Sequence, residues 1–163
     1  MNEKNGEGLT HLGPDGSARM VDVSGKATTV RTARARGSIR MKTDTLAAIR
    51  SQSLSKGDVL SVAKLAGIMA AKRTADLIPL CHPLLLDDIQ VDLTLDDSLP
   101  GVAVETLVRT AGRTGVEMEA IVAATVALVT VYDMAKSLDR TMTIGDISLI
   151  QKTGGRSDPY FAG

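Results

Sequence analysis

Two long segments of helical pattern, residues 59–76 and 117–138, are apolar around most of their circumference, and this feature constrains the fold most strongly. A helix that only covers a sheet needs a single apolar stripe, with a polar opposite face. The apolar run at 120–132 is shorter than the roughly 20 residues of a membrane span and is flanked by Glu119 and Asp133. We therefore predict two buried helices whose additional apolar surface packs against other subunits of a homo-oligomer.

Residues 28–41 show the alternation of a strand with one buried face. Arg34, Arg36 and Arg40 share one parity, and the positions between them are mostly small or aliphatic. Because successive side chains of a strand point to opposite faces, one side of this strand would be polar and the other apolar.

Further strands and short elements complete the order of the chain. We predict strands at 87–95, 101–110 and 141–152, a short helix at 43–52, and Asp58 as the N-cap of the first long helix. The order β-α-β-β-α-β is the ferredoxin-like pattern of the α+β class, an antiparallel sheet with two long helices on one face. The short helix and the segment before the first strand are additions to this core, the latter an N-terminal extension.

The size and composition of the chain limit its classes of partner. Its 163 residues fit one domain, which we place at 11–155 between flexible tails at 1–10 and 156–163. Lys and Arg total 19, as do Asp and Glu, so no field of one sign attracts nucleic acid or an anionic membrane. Aromatic residues are 2% of the chain, too few for the stacking platforms of single-strand binders. A single cysteine excludes an intrachain disulfide, and the polar first residues contain no apolar leader, so we expect a cytoplasmic protein.

Residues that can carry chemistry concentrate in three short segments. The sequence LIPLCHP at 77–83 holds Cys81 and His82 on a stiff loop, because each proline fixes its own φ and restrains the residue before it. The sequences GVEMEA at 115–120 and YDMAKS at 132–137 add acids and a lysine near the two ends of the second long helix. We interpret the three segments as parts of one site. One cysteine beside one histidine supplies too few ligands for a structural zinc site.

The spacing along the second helix places its charged residues on one side but far apart. At about 100° per residue, Glu119 and Asp133 lie within about 40° of each other, and Lys136 lies about 60° from Asp133. Glu119 and Asp133 are nevertheless separated by about 21 Å along the axis, too far to act on one reacting centre. Two such helices packed antiparallel about a two-fold axis would bring Glu119 of one chain towards Asp133 and Lys136 of the other.

Each of these side chains also has an ordinary structural explanation. Asp133 and Lys136 would form an ion pair of little stabilising value on a solvated helix. Glu117 and Glu119 would complement the positive helix N-terminus, and because they would lie about 160° apart on a helix, one of them is expected to precede the first turn. The Cys-His pair would be a small buried residue and a hydrogen-bonded loop histidine.

Four basic residues individually suit solvated positions and together suit a triphosphate. They are Arg31, Lys72, Arg73 and Lys152. Guanidinium groups bind phosphate oxygens in pairs and ammonium groups act as point charges, so a convergence of these cations would hold an anion in a chain without net charge.

Four more segments extend these motifs into an ordered resemblance. They are MVDVS at 20–24, KGDV at 56–59, AKRT at 71–74 and KTGG at 152–155. From about residue 11 to 155 the chain resembles the MoaC family of molybdenum cofactor biosynthesis, the cyclic pyranopterin monophosphate synthases. Two features depart from the family pattern: Ser157-Asp158-Pro159, where a Ser-Gly run is common, and Ala135 in place of a frequent cysteine.

The resemblance implies an activity, an assembly and a set of site residues. The activity is that of a lyase converting a GTP-derived substrate, (8S)-3',8-cyclo-7,8-dihydroguanosine 5'-triphosphate, to cyclic pyranopterin monophosphate with release of pyrophosphate, a step towards molybdopterin. The assembly is a homohexamer built as a trimer of dimers. No cofactor is implied, and Mg²⁺ accompanying the triphosphate or pyrophosphate is compatible with the sequence without being implied by it. The residues implied are Asp133, Lys136 and Lys56 for catalysis, and Leu80, Cys81, His82, Glu117, Met118, Glu119, Arg31, Lys72, Arg73 and Lys152 for substrate binding. Cys81 is not expected to be a nucleophile, because the implied reaction transfers nothing to a thiol.

Two other functions fit part of the pattern. A ferredoxin-like regulatory module that binds a nucleotide at a subunit interface without chemistry would also explain the apolar helices and the cations. Against it, clustering several ionisable groups at an interface costs free energy without benefit if no proton moves. A purely structural assembly subunit leaves the Cys-His loop unexplained. Release of pyrophosphate from the cyclised dihydro-GTP distinguishes the enzyme from both.

Overall fold

The computed structural model describes residues 16–155 and 158–162, and its central element is an antiparallel sheet. The elements in chain order are β1 (Thr29–Arg40), α1 (Thr43–Arg50), α2 (Val59–Ala71), α3 (Thr74–Leu77), β2 (Asp88–Asp96), β3 (Gly101–Gly112), α4 (Glu117–Ala135), β4 (Thr143–Thr153) and β5 (Tyr160–Phe161). The five strands lie in the order β2-β3-β1-β4-β5, and every neighbouring pair is antiparallel. Apart from the short α1, α3 and β5, the order is β-α-β-β-α-β, which confirms the predicted α+β, ferredoxin-like fold.

Strand β1 has one buried and one open face, as its alternation predicted. Ala33, Ala35 and Ile39 are fully buried, while Arg36 and Arg40 are exposed. A Cβ added at Gly37 would come within 2.9 Å of Leu128 Cδ1, so α4 packs closely on this side of the strand. The two long helices therefore cover the apolar face of the sheet, and the arginines lie on the other face.

Helices α2 and α4 also pack against each other through small residues. A Cβ at Gly67 would lie 2.9 Å from the carbonyl oxygen of Ala123 and 3.3 Å from Ala127 Cβ, both on α4. By length and composition alone α4 would pass as a membrane span, but more than half of it is buried between the sheet and α2. It is the core helix of the fold, as the sequence predicted.

The long helices end earlier than the sequence predicted. Residues 59–76 do not form one helix: α2 ends at Ala71, and α3 begins at Thr74. The Thr74 hydroxyl donates to the carbonyl oxygen of Ala71 at 3.1 Å, which satisfies a carbonyl that the helix leaves without a partner at this break. The predicted cap at Asp58 is confirmed, because its side chain accepts a hydrogen bond from the Ser61 amide at 3.1 Å.

The predicted termini are only partly described. Residues 1–10 lie outside the described residues, so the N-terminal tail and the single domain at 11–155 stay predictions. Within the segment 156–163, which we expected to be a flexible tail, Tyr160 and Phe161 pair with Lys152 and Gln151 of β4. This pairing extends the sheet beyond the predicted domain end.

Apolar side chains remain exposed on the outer faces of both long helices. On α2, Val62, Leu65 and Met69 are 43%, 58% and 50% exposed, and on α4, Val129 is 50% exposed. Residues at spacings of three and four share one side of a helix, so the three α2 residues form one stripe, the α2 stripe. Both long helices therefore have the additional apolar surface that the sequence predicted, beyond the surface that packs on the sheet.

Candidate active site

The candidate residues lie in pockets near the two ends of α4. The pocket at its first turn, the N-end pocket, has a volume of about 440 Å³ and is lined by six of the predicted substrate-binding residues, Leu80, Cys81, His82, Glu117, Met118 and Glu119. The pocket after its last turn, the C-end pocket, has a volume of about 360 Å³ and is lined by Lys56, Tyr132, Asp133, Lys136, Ser137 and Arg140. It contains all three predicted catalytic residues.

The Cys-His loop is fixed against the segment that precedes β1. His82 Nε2 lies 2.8 Å from the carbonyl oxygen of Val21, and because a carbonyl only accepts, Nε2 donates this hydrogen bond. The Cys81 amide donates to the carbonyl oxygen of Ile78 at 3.0 Å, which closes a turn after α3. Two of the sequence segments, 20–24 and 77–83, therefore meet at the N-end pocket.

Glu117 and Glu119 both belong to the first turn of α4, so the expectation that one of them precedes the helix was wrong. The N-cap is Val116, and the helix begins at Glu117. Glu117 pairs with the Lys152 ammonium of β4. The two glutamates can therefore have different surroundings within one helical turn, because they point about 160° apart.

Glu119 is a buried carboxyl whose protonation is balanced near neutral pH. Only 4% of the residue is exposed. Burial, reinforced by the nearby charge of Glu117, raises the pKa of Glu119 to about 7. If Glu119 served to complement the positive helix N-terminus, its ionised form would be favoured. A buried Glu119 that resists ionisation is therefore not explained by this structural role. A carboxyl with this pKa can both give and accept a proton at neutral pH.

The environment of Cys81 disfavours its thiolate. Burial raises the pKa of the Cys81 thiol, and the carboxylates of Glu119 and Glu117 raise it further. A thiol in such surroundings is a poor nucleophile, which agrees with the sequence-based expectation.

A cavity lined by cations adjoins the N-end pocket. It has a volume of about 370 Å³, and its basic lining residues are Lys26, Arg31, Arg113 and Lys152. Lys26, Thr114, Gly115 and Glu117 line both spaces, so the two are neighbours. Arg31 donates from Nε to the carbonyl oxygen of Gly112 at 2.9 Å and from Nη2 to that of Arg113 at 3.1 Å, which fixes its guanidinium at the cavity wall.

Two of the four predicted phosphate-binding residues are at this cavity and two are not. Arg31 and Lys152 line it, whereas Lys72 and Arg73 lie exposed at the end of α2 and are not among its lining residues. Sequence reasoning missed Lys26 and Arg113. Lys26 lies two positions after the quoted segment MVDVS, and Arg113 lies two positions before GVEMEA.

In the C-end pocket two lysines hold one carboxylate. Lys56 Nζ donates to Asp133 Oδ2 at 2.9 Å and to the Asp133 carbonyl oxygen at 2.8 Å, and Lys136 Nζ donates to Asp133 Oδ1 at 2.6 Å. These bonds, that from Lys136 first, lower the pKa of Asp133 to about 2. A simple ion pair on a solvated helix does not account for Lys56, which comes from the turn before α2. The convergence also keeps Asp133 ionised and both ammonium groups positioned at neutral pH.

One chain does not bring the two pockets together. Helix α4 is continuous from Glu117 to Ala135, so the separation of about 21 Å between Glu119 and Asp133 is retained. On the side of α4 that carries Glu119 and Asp133, Val126 and Thr130 are half-buried, and Val129 at its edge is exposed. The Thr130 hydroxyl donates to the carbonyl oxygen of Val126 at 2.8 Å and so needs no outside partner. An uncharged, open helix face therefore connects the two ends.

No group of three or more His, Cys, Asp or Glu side chains suited to a metal ion occurs among the described residues. The expectation that the site uses no metal or cofactor stays a prediction. The chemistry that the described side chains can supply is proton transfer and the binding of anions.

Comparison with known proteins identifies the family. Residues 20–155 match the model of the MoaC family. The chain belongs to the MoaC family. This MoaC chain is 58% identical, over 94% of its length and 96% of the relative, to the cyclic pyranopterin monophosphate synthase of Parvibaculum lavamentivorans. The proteins of that name from Methylobacterium sp. and Brucella ovis are 58% and 56% identical over 94% and 93% of the chain, and over 96% and 92% of their own lengths. The matched span encloses every candidate residue, and the resemblance inferred from the sequence is confirmed.

Proposed function

We propose that this chain is a cyclic pyranopterin monophosphate synthase, a lyase of molybdenum cofactor biosynthesis. Its substrate would be (8S)-3',8-cyclo-7,8-dihydroguanosine 5'-triphosphate and its products cyclic pyranopterin monophosphate and pyrophosphate. The observation that carries the proposal is the 58% identity to a relative of that name over 94% of the chain. This span contains both pockets, so the similarity covers the chemistry as well as the fold.

The pockets supply the kinds of group that this reaction needs. A triphosphate requires cations, and the cavity at the N-end pocket has four basic lining residues. The opening and closing of rings requires proton transfer, and Glu119, with a pKa near 7, can act as proton donor or as proton acceptor. In this assignment His82, Glu117 and Glu119 orient the base-derived rings, and the cations of the cavity hold phosphates.

Asp133 acts in its ionised form in this assignment. With a pKa of about 2 it is a weak base at neutral pH, and its role is to hold the ammonium groups of Lys136 and Lys56 in place. A lysine ammonium can donate a proton or stabilise developing negative charge. Removing the carboxylate would therefore release Lys136 and leave Lys56 with its bond to the Asp133 carbonyl oxygen.

A complete site needs two chains. If two α4 helices pack antiparallel about a two-fold axis near the middle of the helix, the face of Val126, Val129 and Thr130 is covered and Glu119 meets Asp133 of the partner subunit. The proton-transferring groups that are about 21 Å apart within one chain are then brought together between two chains. An assembly larger than a dimer needs a second contact surface, and the α2 stripe offers an apolar one. This surface supports the proposed homohexamer, a trimer of dimers.

The remaining expectations follow from composition and stay predictions. We expect a small-molecule enzyme without nucleic-acid or membrane partners, located in the cytoplasm. We expect catalysis without a bound cofactor, with Mg²⁺ at most accompanying the phosphates.

The deciding experiment supplies purified protein with enzymatically made cyclised dihydro-GTP and follows both products by chromatography and mass spectrometry. Stoichiometric pyrophosphate and cyclic pyranopterin monophosphate are expected from the unaltered chain, and neither from Asp133→Asn. Tight binding of the substrate with no pyrophosphate release would instead support the nucleotide-binding regulatory module and overturn the proposal.

A further inference from the structure

The C-end pocket carries more positive charge than its carboxylate neutralises. Lys56, Lys136 and Arg140 contribute three positive charges, and Asp133 contributes one negative charge. Both lysines donate hydrogen bonds to Asp133. The Arg140 guanidinium forms no hydrogen bond or ion pair with any residue that the structure describes. Arg140 is therefore the cation of this pocket that is available to an external anion.

The backbone that presents Arg140 is fixed from two sides. The buried Asp139 carboxylate, 1% exposed, accepts hydrogen bonds from the Lys42 amide at 2.9 Å, the Thr141 amide at 2.9 Å and the Thr141 hydroxyl at 2.7 Å. On the other side the Tyr132 hydroxyl donates to the Arg140 carbonyl oxygen at 3.2 Å. These bonds tie the turn after α4 to α1 and to α4 itself.

The buried carboxylate is suited to this structural task. The hydrogen bond from the Lys42 amide, followed by those from Thr141, lowers the pKa of Asp139, so it stays ionised and keeps all of its donors at neutral pH. A side chain on such a turn loses less freedom when it binds a ligand than one on a loop without these bonds.

We propose that Arg140 is a phosphate-binding residue for the substrate of the proposed reaction, and that Asp139 is a positioning residue that holds its turn. The inference rests on the proposed function. A guanidinium binds two phosphate oxygens in a planar fork, and here it does so beside the ammonium group of Lys136. Arg140 thereby extends the anion-binding surface beyond Arg31 and Lys152 to the opposite end of α4.

The test measures the binding of inorganic tripolyphosphate by calorimetry, together with kcat and KM for the cyclised substrate. Arg140→Gln should weaken tripolyphosphate binding about ten-fold or more, the usual cost of losing a charge-assisted hydrogen bond. Arg109→Gln is the matched control, because Arg109 is exposed on β3 and lies in neither pocket. Arg140→Lys should fall between, because it keeps the charge and loses the fork.

Asp139 is tested by a double-mutant cycle. Asp139→Asn should weaken tripolyphosphate binding in the otherwise unaltered chain and add almost nothing to Arg140→Gln, because a positioning residue acts through the side chain that it positions. Equal losses in both backgrounds would overturn its positioning role, since a merely structural residue acts independently of Arg140.

The outcomes separate this inference from the proposed function. If the unaltered chain releases pyrophosphate and Arg140→Gln binds tripolyphosphate as tightly as it does, the assignment of Arg140 is wrong and the proposed function stands. If the unaltered chain releases no pyrophosphate, the proposed function itself fails. Thermal unfolding of each variant shows whether it is folded, and if Arg140→Gln is not, unchanged affinity in a folded Arg140→Lys overturns the assignment.

Discussion

Subunit complementation tests whether Glu119 and Asp133 serve one site from two chains. Both residues lie on the unbroken α4, about 21 Å apart. In a two-fold pair each site would take Asp133 from one chain and Glu119 from the other. Two inactive proteins, Glu119→Gln and Asp133→Asn, should therefore form an active site when they share a pair.

The expected activity follows from counting sites. Random mixing of equal amounts makes about half of the pairs mixed, and each mixed pair has one site with both native residues and one with neither. About a quarter of all sites are then intact, so the rate of pyrophosphate release should reach about a quarter of that of the unaltered protein. A site confined to one chain predicts no recovery at any mixing ratio.

The assay uses the two variants co-expressed with different affinity tags, with mixed pairs quantified by native mass spectrometry. The reciprocal control mixes the unaltered chain with a chain that carries both substitutions. Every mixed pair then lacks a complete shared site, so activity should fall to about a quarter, whereas sites within single chains would leave about half. Verified mixed pairs without recovery, together with half activity in the control, would refute the composite site.

Three further predictions follow. Burial raises the pKa of Glu119 from 4.5 to about 7, so ionisation of this carboxyl destabilises the folded chain progressively as the pH rises from 4.5 to 7. Glu119→Gln should therefore stabilise the protein at pH 8, by at most about 3 kcal/mol, and change its stability little at pH 4. Equal shifts of the unfolding temperature at both pH values would contradict this. Lys152→Ala should weaken tripolyphosphate binding more than Lys72→Ala, since Lys152 lines the cation cavity; equal losses in calorimetry would mean that Lys72 reaches the anion from another subunit. Leu65→Glu, in the α2 stripe, should shift the assembly to smaller species in sedimentation, and an unchanged assembly would place the interface elsewhere.

Local patterns predicted the four long strands and the two long helices of the fold, but not α3 or β5. The period-two alternation of Arg34, Arg36 and Arg40 predicted β1 because one face of that strand is buried, so a shift by one residue would bury the arginines. Asp58 was predicted as a cap because its hydrogen bond spans only three residues. The break between α2 and α3 was missed, since the apolar period continues across it while the Thr74 hydroxyl binds the terminal carbonyl.

The site depends on contacts that no local pattern contains. Lys56 and Asp133 are 77 residues apart in sequence, and only the family resemblance associated them. Lys26, Arg113 and Arg140 are isolated cations in loops, without period or motif, and their convergence on pockets comes from the tertiary fold. The pKa of Glu119 is likewise a consequence of burial under neighbouring elements, which the sequence does not specify locally.

The charge arrangement along α4 favours the antiparallel pairing that the composite site requires. Acids lie at its N-terminus, where the helix dipole is positive, and lysines surround its C-terminus, where Lys56 donates to the Asp133 carbonyl oxygen. Each end is thus stabilised within its own chain. When two such helices run antiparallel, the acidic end of one faces the basic end of the other and the dipoles oppose; parallel helices would place like ends together. The charges that stabilise a single helix therefore also favour the antiparallel orientation that the proposed composite site requires.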